Sequence, residues 1–195
     1  KQTVHKEQTV HRDVPVDALY MGFHMCGHQD EDYKVFDMLS DVLSNGKSTR
    51  LEQILVQELR LCTGIDAFIT GTVDPGLFLI SAKPATGVTT QQVEQAVWEQ
   101  LERLKQEPVG TQEMEKVKNR YESEQIFNSL NYLNVANNLA YFELLGDAND
   151  FNREVEKYRA VTPERLMEVA RRAFVPENCS VLHYLRNEES NPTQP

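Results

Sequence analysis

The chain has 195 residues, 40% hydrophobic and 26% charged, enough to bury the core of one ordinary domain. Its 20 Lys and Arg stand against 30 Asp and Glu, a formal net charge of −10 that repels phosphate backbones and argues against general nucleic-acid binding. No run approaches the roughly 20 apolar residues of a membrane span, and Cys26, Cys62 and Cys179 form neither a fully paired disulfide framework nor a C-x-x-C pair. The chain starts at Lys1 without a Met or a leader-type apolar stretch, as expected of a piece excised or processed from a longer protein.

Residues 1–12 alternate weakly and read as an edge strand or arm. Val14–Cys26 reads as a central strand, with Leu19, Met21, Phe23 and Met25 on one face and no strongly polar face opposite. Val35, Met38, Leu39, Val42 and Leu43 then repeat with helical period, capped by Asp30 or Asp32 and stopped at Asn45-Gly46. A second helix opens with Thr49 and Glu52 in capping-box spacing and buries Leu51, Ile54, Leu55 and Leu59. The period changes to two over Thr63–Val73 and Leu77–Lys83, joined by Asp74-Pro75-Gly76, where Pro then Gly suits a type II turn. Thr89 and Gln92 start a helix with a Val93, Ala96, Val97, Leu101, Leu104 stripe.

A long helical region follows from Thr111 to Leu145, and its asparagines predict a break near Ser129. Phe151, Val155 and Tyr158 belong to a short helix. Thr162-Pro163-Glu164 supplies a cap, a first-turn proline and an acid for the next one. Ser180–Leu185 is a last strand. The reading is therefore a single α+β domain over 1–185, one mixed, mostly antiparallel sheet with helices packed on one face. Met38, Leu39, Leu43, Leu55, Phe78, Ile80, Val97, Leu101 and Phe174 are its expected core, and 186–195 its disordered tail.

Few residues point to chemistry. His24-Met25-Cys26-Gly27-His28 keeps the outer spacing of the H-x-x-E-H zinc motif, but Gly27 stands where the general base belongs, and a strand end is the wrong scaffold. On a strand His24, Cys26 and His28 share a face, so a fortuitous metal site competes with the preferred reading of polar strand-end residues. His5, Glu7 and His11 fit no metal signature, and His183, alone in an apolar strand, reads as a satisfied core histidine. Cys62 reads as core. There is no G-x-G-x-x-G, no P-loop and no G-x-S-x-G elbow. The carboxylate clusters at Asp30–Asp32, Glu122/Glu124 and Glu188/Glu189 read as solvated faces. The asparagines from Asn128 to Asn138 line either a polar groove or an exposed helix face.

Three segments go further. "DEDYKVFDMLSDVLSNGKSTRLEQILVQELRL", "DPGLFLISAKPATGVTTQQVEQAV" and "VPVDALYMGFHM" resemble the pitrilysin-type zinc metallopeptidases, which include insulin-degrading enzyme, mitochondrial processing peptidase and many bacterial zinc proteases. The resemblance runs from about Val14 to Leu185, and L-S-N-G-K-S-T-R-L is its most specific part. It implies one of two homologous halves. The N-terminal half of such enzymes carries H-x-x-E-H and a distal Glu and binds zinc; the C-terminal half closes the peptide chamber. This chain has no H-x-x-E-H, so the resemblance implies the non-catalytic C-terminal half of a bacterial enzyme, inactive alone. It implies no metal or other cofactor in this chain, zinc in the catalytic partner half, and a peptide substrate. A periplasmic or cell-envelope location is expected.

In active relatives this half supplies an Arg and, seven residues on, a Tyr near the substrate carbonyl, a cation and a phenol suited to carbonyl stabilisation. The matching positions here are Gln57 and Gly64, with Arg60 three residues displaced on what reads as the same helical face. No catalytic residue is therefore assigned, and substrate contact is expected from Gln57 and Arg60. The alternatives are a structural partner subunit, as in the core subunits of the cytochrome bc complex, and a free-standing peptide-binding module.

Overall fold

The computed structural model describes residues 2–187. Five strands, Lys6–Arg12 (β1), Ala18–His24 (β2), Cys62–Ile69 (β3), Leu77–Pro84 (β4) and Cys179–Arg186 (β5), form one sheet in the order β1-β5-β2-β4-β3. Only β1 and β5 run parallel; every other neighbouring pair is antiparallel. The alternation seen in the sequence sets which face is buried. Val181, Met21, Ile80 and Ala67 lie side by side across four strands, all buried, with His183, Leu19, Ala82 and Ile65 forming the next row. The opposite face carries Leu182, Tyr20, Ser81 and Asp66 in one row and Ser180, Gly22, Leu79 and Phe68 in another. Tyr20 and Phe68 there remain 42% and 45% exposed.

The helices bank on the first face. They are Tyr33–Ser44 (α1), a π-wound segment Glu52–Glu58, Thr90–Gln106 (α2), Thr111–Ser129 (α3), Tyr132–Leu145 (α4), Asp150–Arg159 (α5) and Pro163–Ala173 (α6). α1 lies against β3, α2 against β2 and β4, and α6 against both α1 and α2. All nine expected core residues are buried, eight of them completely inaccessible and Met38 at 1%. Phe23, Phe78 and Phe174 meet edge to face at centroid distances of 5.1 and 5.0 Å, the aromatic centre of the core. This is the expected α+β arrangement of one mixed, mostly antiparallel sheet covered on one face.

Several local readings are corrected. The strand expected over Val14–Cys26 is regular only from Ala18 to His24. Beyond it, Met25 N–H donates to Gly76 O and His28 N–H to Val73 O, so the chain still follows the β3–β4 connection irregularly. A side chain at Gly27 would overlap the Val73 carbonyl, so this glycine is required by close backbone approach. The type II turn is absent: Gly76 lacks the positive φ that turn demands, which occurs instead at Gly71 (φ 65°). A Cβ at Gly76 would run into the Thr70 and Thr72 hydroxyls.

The Thr49–Glu52 capping box does not form either, because the Thr49 hydroxyl donates to Gly46 O at 2.6 Å and the helix beyond winds as a π-helix. Asp30, not the N-cap Asp32, accepts from a backbone N–H at this end, that of Asp32 itself. Thr89 with Gln92, and Thr162 with Pro163, cap as expected, and the long helix breaks after Ser129, where the Asn131 side chain caps α4. Arg186 still belongs to β5, and Asn187 N–H donates to Arg12 O. The rest of the expected tail, 188–195, lies outside the described residues.

Candidate functional site

The most specific phrase of the sequence, Leu43 to Leu51, is a structural junction. The Ser44 hydroxyl bonds both the N–H and the carbonyl of Ala67, covering the outer edge of β3 at mid-strand. Gly46 takes a φ of 118°, which lets the chain turn away from α1. Arg50 makes a bidentate pair with Glu113 of α3 at 3.0 and 2.8 Å, a geometry lysine cannot reproduce. The Arg120 guanidinium donates to Asn45 O at 2.6 Å. These contacts fix the loop that delivers the chain to Gln57 and Arg60.

The π-wound segment ends with Leu59 N–H donating to Ile54 O and Leu61 N–H to Leu55 O, both at 2.8 Å. Arg60 lies between them with φ 54°, the one non-glycine residue with positive φ among the described residues. Arg60 is thus in the terminating turn beyond the helix, and the helical i,i+3 relation to Gln57 does not describe it. Both side chains are exposed. They differ in what they have left to offer. The Gln57 amide already donates to Lys47 O at 3.0 Å, whereas the Arg60 guanidinium makes no hydrogen bond or ion pair with the described residues. Gly64 follows at a register shift in β3, and a Cβ there would meet nothing within 4 Å.

His24 and His28 do not converge. His24 Nε2 lies 3.3 Å from Gln2 Oε1 at the exposed strand end. The His28 ring packs between Tyr33, at 4.5 Å, and Tyr141, at 5.4 Å. Burial, then Lys34, lowers the His28 pKa. Among the described residues His24, Cys26 and His28 form no group able to share an ion, so they do not fit a catalytic zinc. The cysteines are equally unsuited to chemistry: burial holds the Cys26 and Cys62 thiols up at about 11 and Cys179 at about 12.

His183 is fully buried and satisfied, as expected, with Nδ1 2.9 Å from Thr90 Oγ1 and Nε2 3.1 Å from Glu7 Oε1. Sequence reasoning missed that Glu94 of α2 also arrives, at 3.4 Å. Nothing in the spacing of Glu7, Glu94 and His183 signals their meeting, which depends on the parallel β1–β5 pairing. Of the asparagines from 128 to 138, Asn131 caps α4 and the others lie on α3 or α4; Asn128, Asn131 and Asn137 are exposed, Asn134 and Asn138 half-buried, and α4 has no buried residue at all. The exposed-face reading is therefore the one that holds.

Asp32, 7% exposed, accepts from both Arg165 and Arg172 and so ties α1 to α6. No helix of the described residues is long and apolar enough to cross a membrane.

Residues 1–121 match the model of the peptidase M16 inactive domain. Among solved structures, a protease from Helicobacter pylori superposes with a TM-score of 0.89 at 22% identity, over 95% of this chain and 45% of that one. The inactive peptidase domain of a candidate zinc protease from Bordetella parapertussis gives 0.82 at 20% identity, over 95% of this chain and 99% of that one. The periplasmic protease PqqL of Escherichia coli gives 0.73 at 11% identity, over 95% of this chain and 21% of that one. At these identities the likenesses are of fold, and this chain spans less than half the length of the Helicobacter and Escherichia proteins. The half-molecule architecture, the missing H-x-x-E-H and the family match agree: the chain belongs to the inactive-domain family of the M16 peptidases.

Proposed function

We infer that this chain is the non-catalytic C-terminal half of a bacterial zinc metallopeptidase, packing on an H-x-x-E-H half and completing the chamber that holds a peptide. The observation that carries this reading is the uncovered sheet face. Helices cover the side with Met21 and Ile80, while Tyr20, Leu79 and Leu182 line an open groove of about 700 Å³ on the other side. A sheet face of this mixed apolar and polar character suits an extended peptide and the wall of a neighbouring half.

Zinc chemistry belongs to the partner half in this reading. Residues of this chain bind and orient the peptide and exclude water, which raises the effective concentration of reacting groups without a catalytic group of its own. Arg60 is the residue best placed to donate to a peptide carbonyl, since its guanidinium is exposed and has no partner among the described residues, with Gln57 second. The likeness to a periplasmic protease supports an envelope location.

Size-exclusion chromatography and calorimetry of this chain with the H-x-x-E-H half encoded beside or before it test the assignment. A one-to-one complex, with no peptidase activity in this chain alone, is expected. Separate elution at micromolar concentration, with both halves folded, would refute the packing.

A further inference from the structure

Three side chains from three distant parts of the chain meet under the N-terminal edge of the sheet. His183 of β5 is fully buried. Its Nε2 lies 3.1 Å from Glu7 Oε1 of β1 and 3.4 Å from Glu94 Oε2 of α2, and the three atoms all lie within 4.8 Å of one another. Donors about 2.1 Å from a common first-row cation stand about 3.0–3.5 Å apart at octahedral to tetrahedral angles, the spacing of these two contacts.

The surrounding groups orient these donors. The Thr90 hydroxyl donates to Gln91 Oε1 at 3.2 Å, which leaves its oxygen to accept from His183 Nδ1–H at 2.9 Å. With a hydrogen on Nδ1 shared with Thr90, Nε2 is the ring nitrogen turned toward the two carboxylates. Glu94 is fixed from its other oxygen, Oε1, by the Trp98 indole N–H at 3.2 Å, which leaves Oε2 for the cluster. Glu7 is the only one of the three that reaches solvent freely, its side chain 53% exposed against 17% for Glu94, so it marks the way in. One imidazole nitrogen and two carboxylate oxygens converge on one point, and an oriented histidine with a supported carboxylate is the outer support that metal ligands use.

We propose that Glu7, Glu94 and His183 bind one divalent first-row cation, zinc or manganese in class, which clamps β1 onto β5 and α2. One histidine and two carboxylates leave open positions for water. The clamp has a mechanical sense: apart from this cluster, β1 is an exposed edge strand held by its pairing with β5.

The test uses the 195-residue chain, treated with chelator and dialysed, then titrated with zinc chloride and with manganese chloride by calorimetry. One equivalent should bind, raise the melting temperature and slow amide exchange in β1. Glu7→Gln and Glu94→Gln, both near-isosteric, should each weaken binding about 10-fold or more, while His24→Ala leaves it unchanged. His183 itself is too buried to replace safely, so its ring is followed by nitrogen NMR, where Nε2 should shift on metal addition. The rival occupant is a proton. Both ring nitrogens protonated and unresponsive to either metal would overturn the proposal, as would binding abolished by His24→Ala but indifferent to the two glutamine variants.

Discussion

Asp37 is a carboxylate that the fold tolerates at a cost. It lies part-buried on α1, where burial, ahead of the opposing effect of its bond from Tyr158, pushes its pKa from 3.8 up to about 6. The Tyr158 hydroxyl donates to Asp37 Oδ2 at 2.6 Å, and the Tyr158 ring stacks on Tyr121 at a centroid distance of 3.5 Å. A folded-state pKa above the unfolded one means that the folded state holds the proton more tightly. The stabilisation from that proton is fully present below the unfolded value of 3.8 and is lost as pH rises through about 6. Above pH 6 the ionised group therefore carries a penalty approaching about 3 kcal/mol, which partial solvent access reduces to about 1–2 kcal/mol.

Asp37→Asn keeps an acceptor for the Tyr158 hydroxyl and removes the charge. It should raise the melting temperature by about 2–8 °C at pH 8, with the gain shrinking below pH 6 and gone near pH 4. Thermal unfolding of both proteins across that range is the assay. A variant that loses stability relative to the parent as pH rises from 4 to 8 would show that the ionised carboxylate is the form the fold requires, and the reasoning would fail.

Two further substitutions test the backbone. Gly27→Ala should cost about 2–4 kcal/mol in denaturant unfolding, because the added carbon meets the fixed Val73 carbonyl; Gly76→Ala should cost less, since the threonine hydroxyls it meets can rotate away. Arg60→Gly should leave stability unchanged or raise it by up to about 1 kcal/mol, as relief of the φ of 54° offsets the greater freedom of glycine in the unfolded chain. A loss of more than 1 kcal/mol would mean that the Arg60 side chain holds the junction together.

The elements legible from sequence were those governed by local physics. The period-2 rows of β2 and β4 and the stripes of α1 and α2 name the core because each has one face to bury. Thr89 and Thr162 mark helix starts through bonds made within three residues. What escaped depends on distant partners. Thr49 has capping spacing, yet Gly46 O takes its hydroxyl. Pro75-Gly76 has turn chemistry, yet Gly76 is there for two threonine hydroxyls from the end of β3. Glu94 looks like a solvated helix position until β1 pairs parallel to β5 and brings Glu7 beside His183. At the candidate site the sequence points to Gln57 and Arg60 by resemblance alone; only the fold separates an amide already spent on Lys47 O from a guanidinium without a partner among the described residues.

The central claim is that this inactive half improves catalysis by its partner, and peptide hydrolysis measures it directly. The H-x-x-E-H half is assayed with and without this chain, and with the Arg60→Ala and Gln57→Ala variants of it, under conditions where the complex is formed. The account predicts that the chain raises kcat/KM, and that Arg60→Ala removes more of the gain than Gln57→Ala. An unchanged kcat/KM in a demonstrated complex would contradict it and leave this half a structural partner.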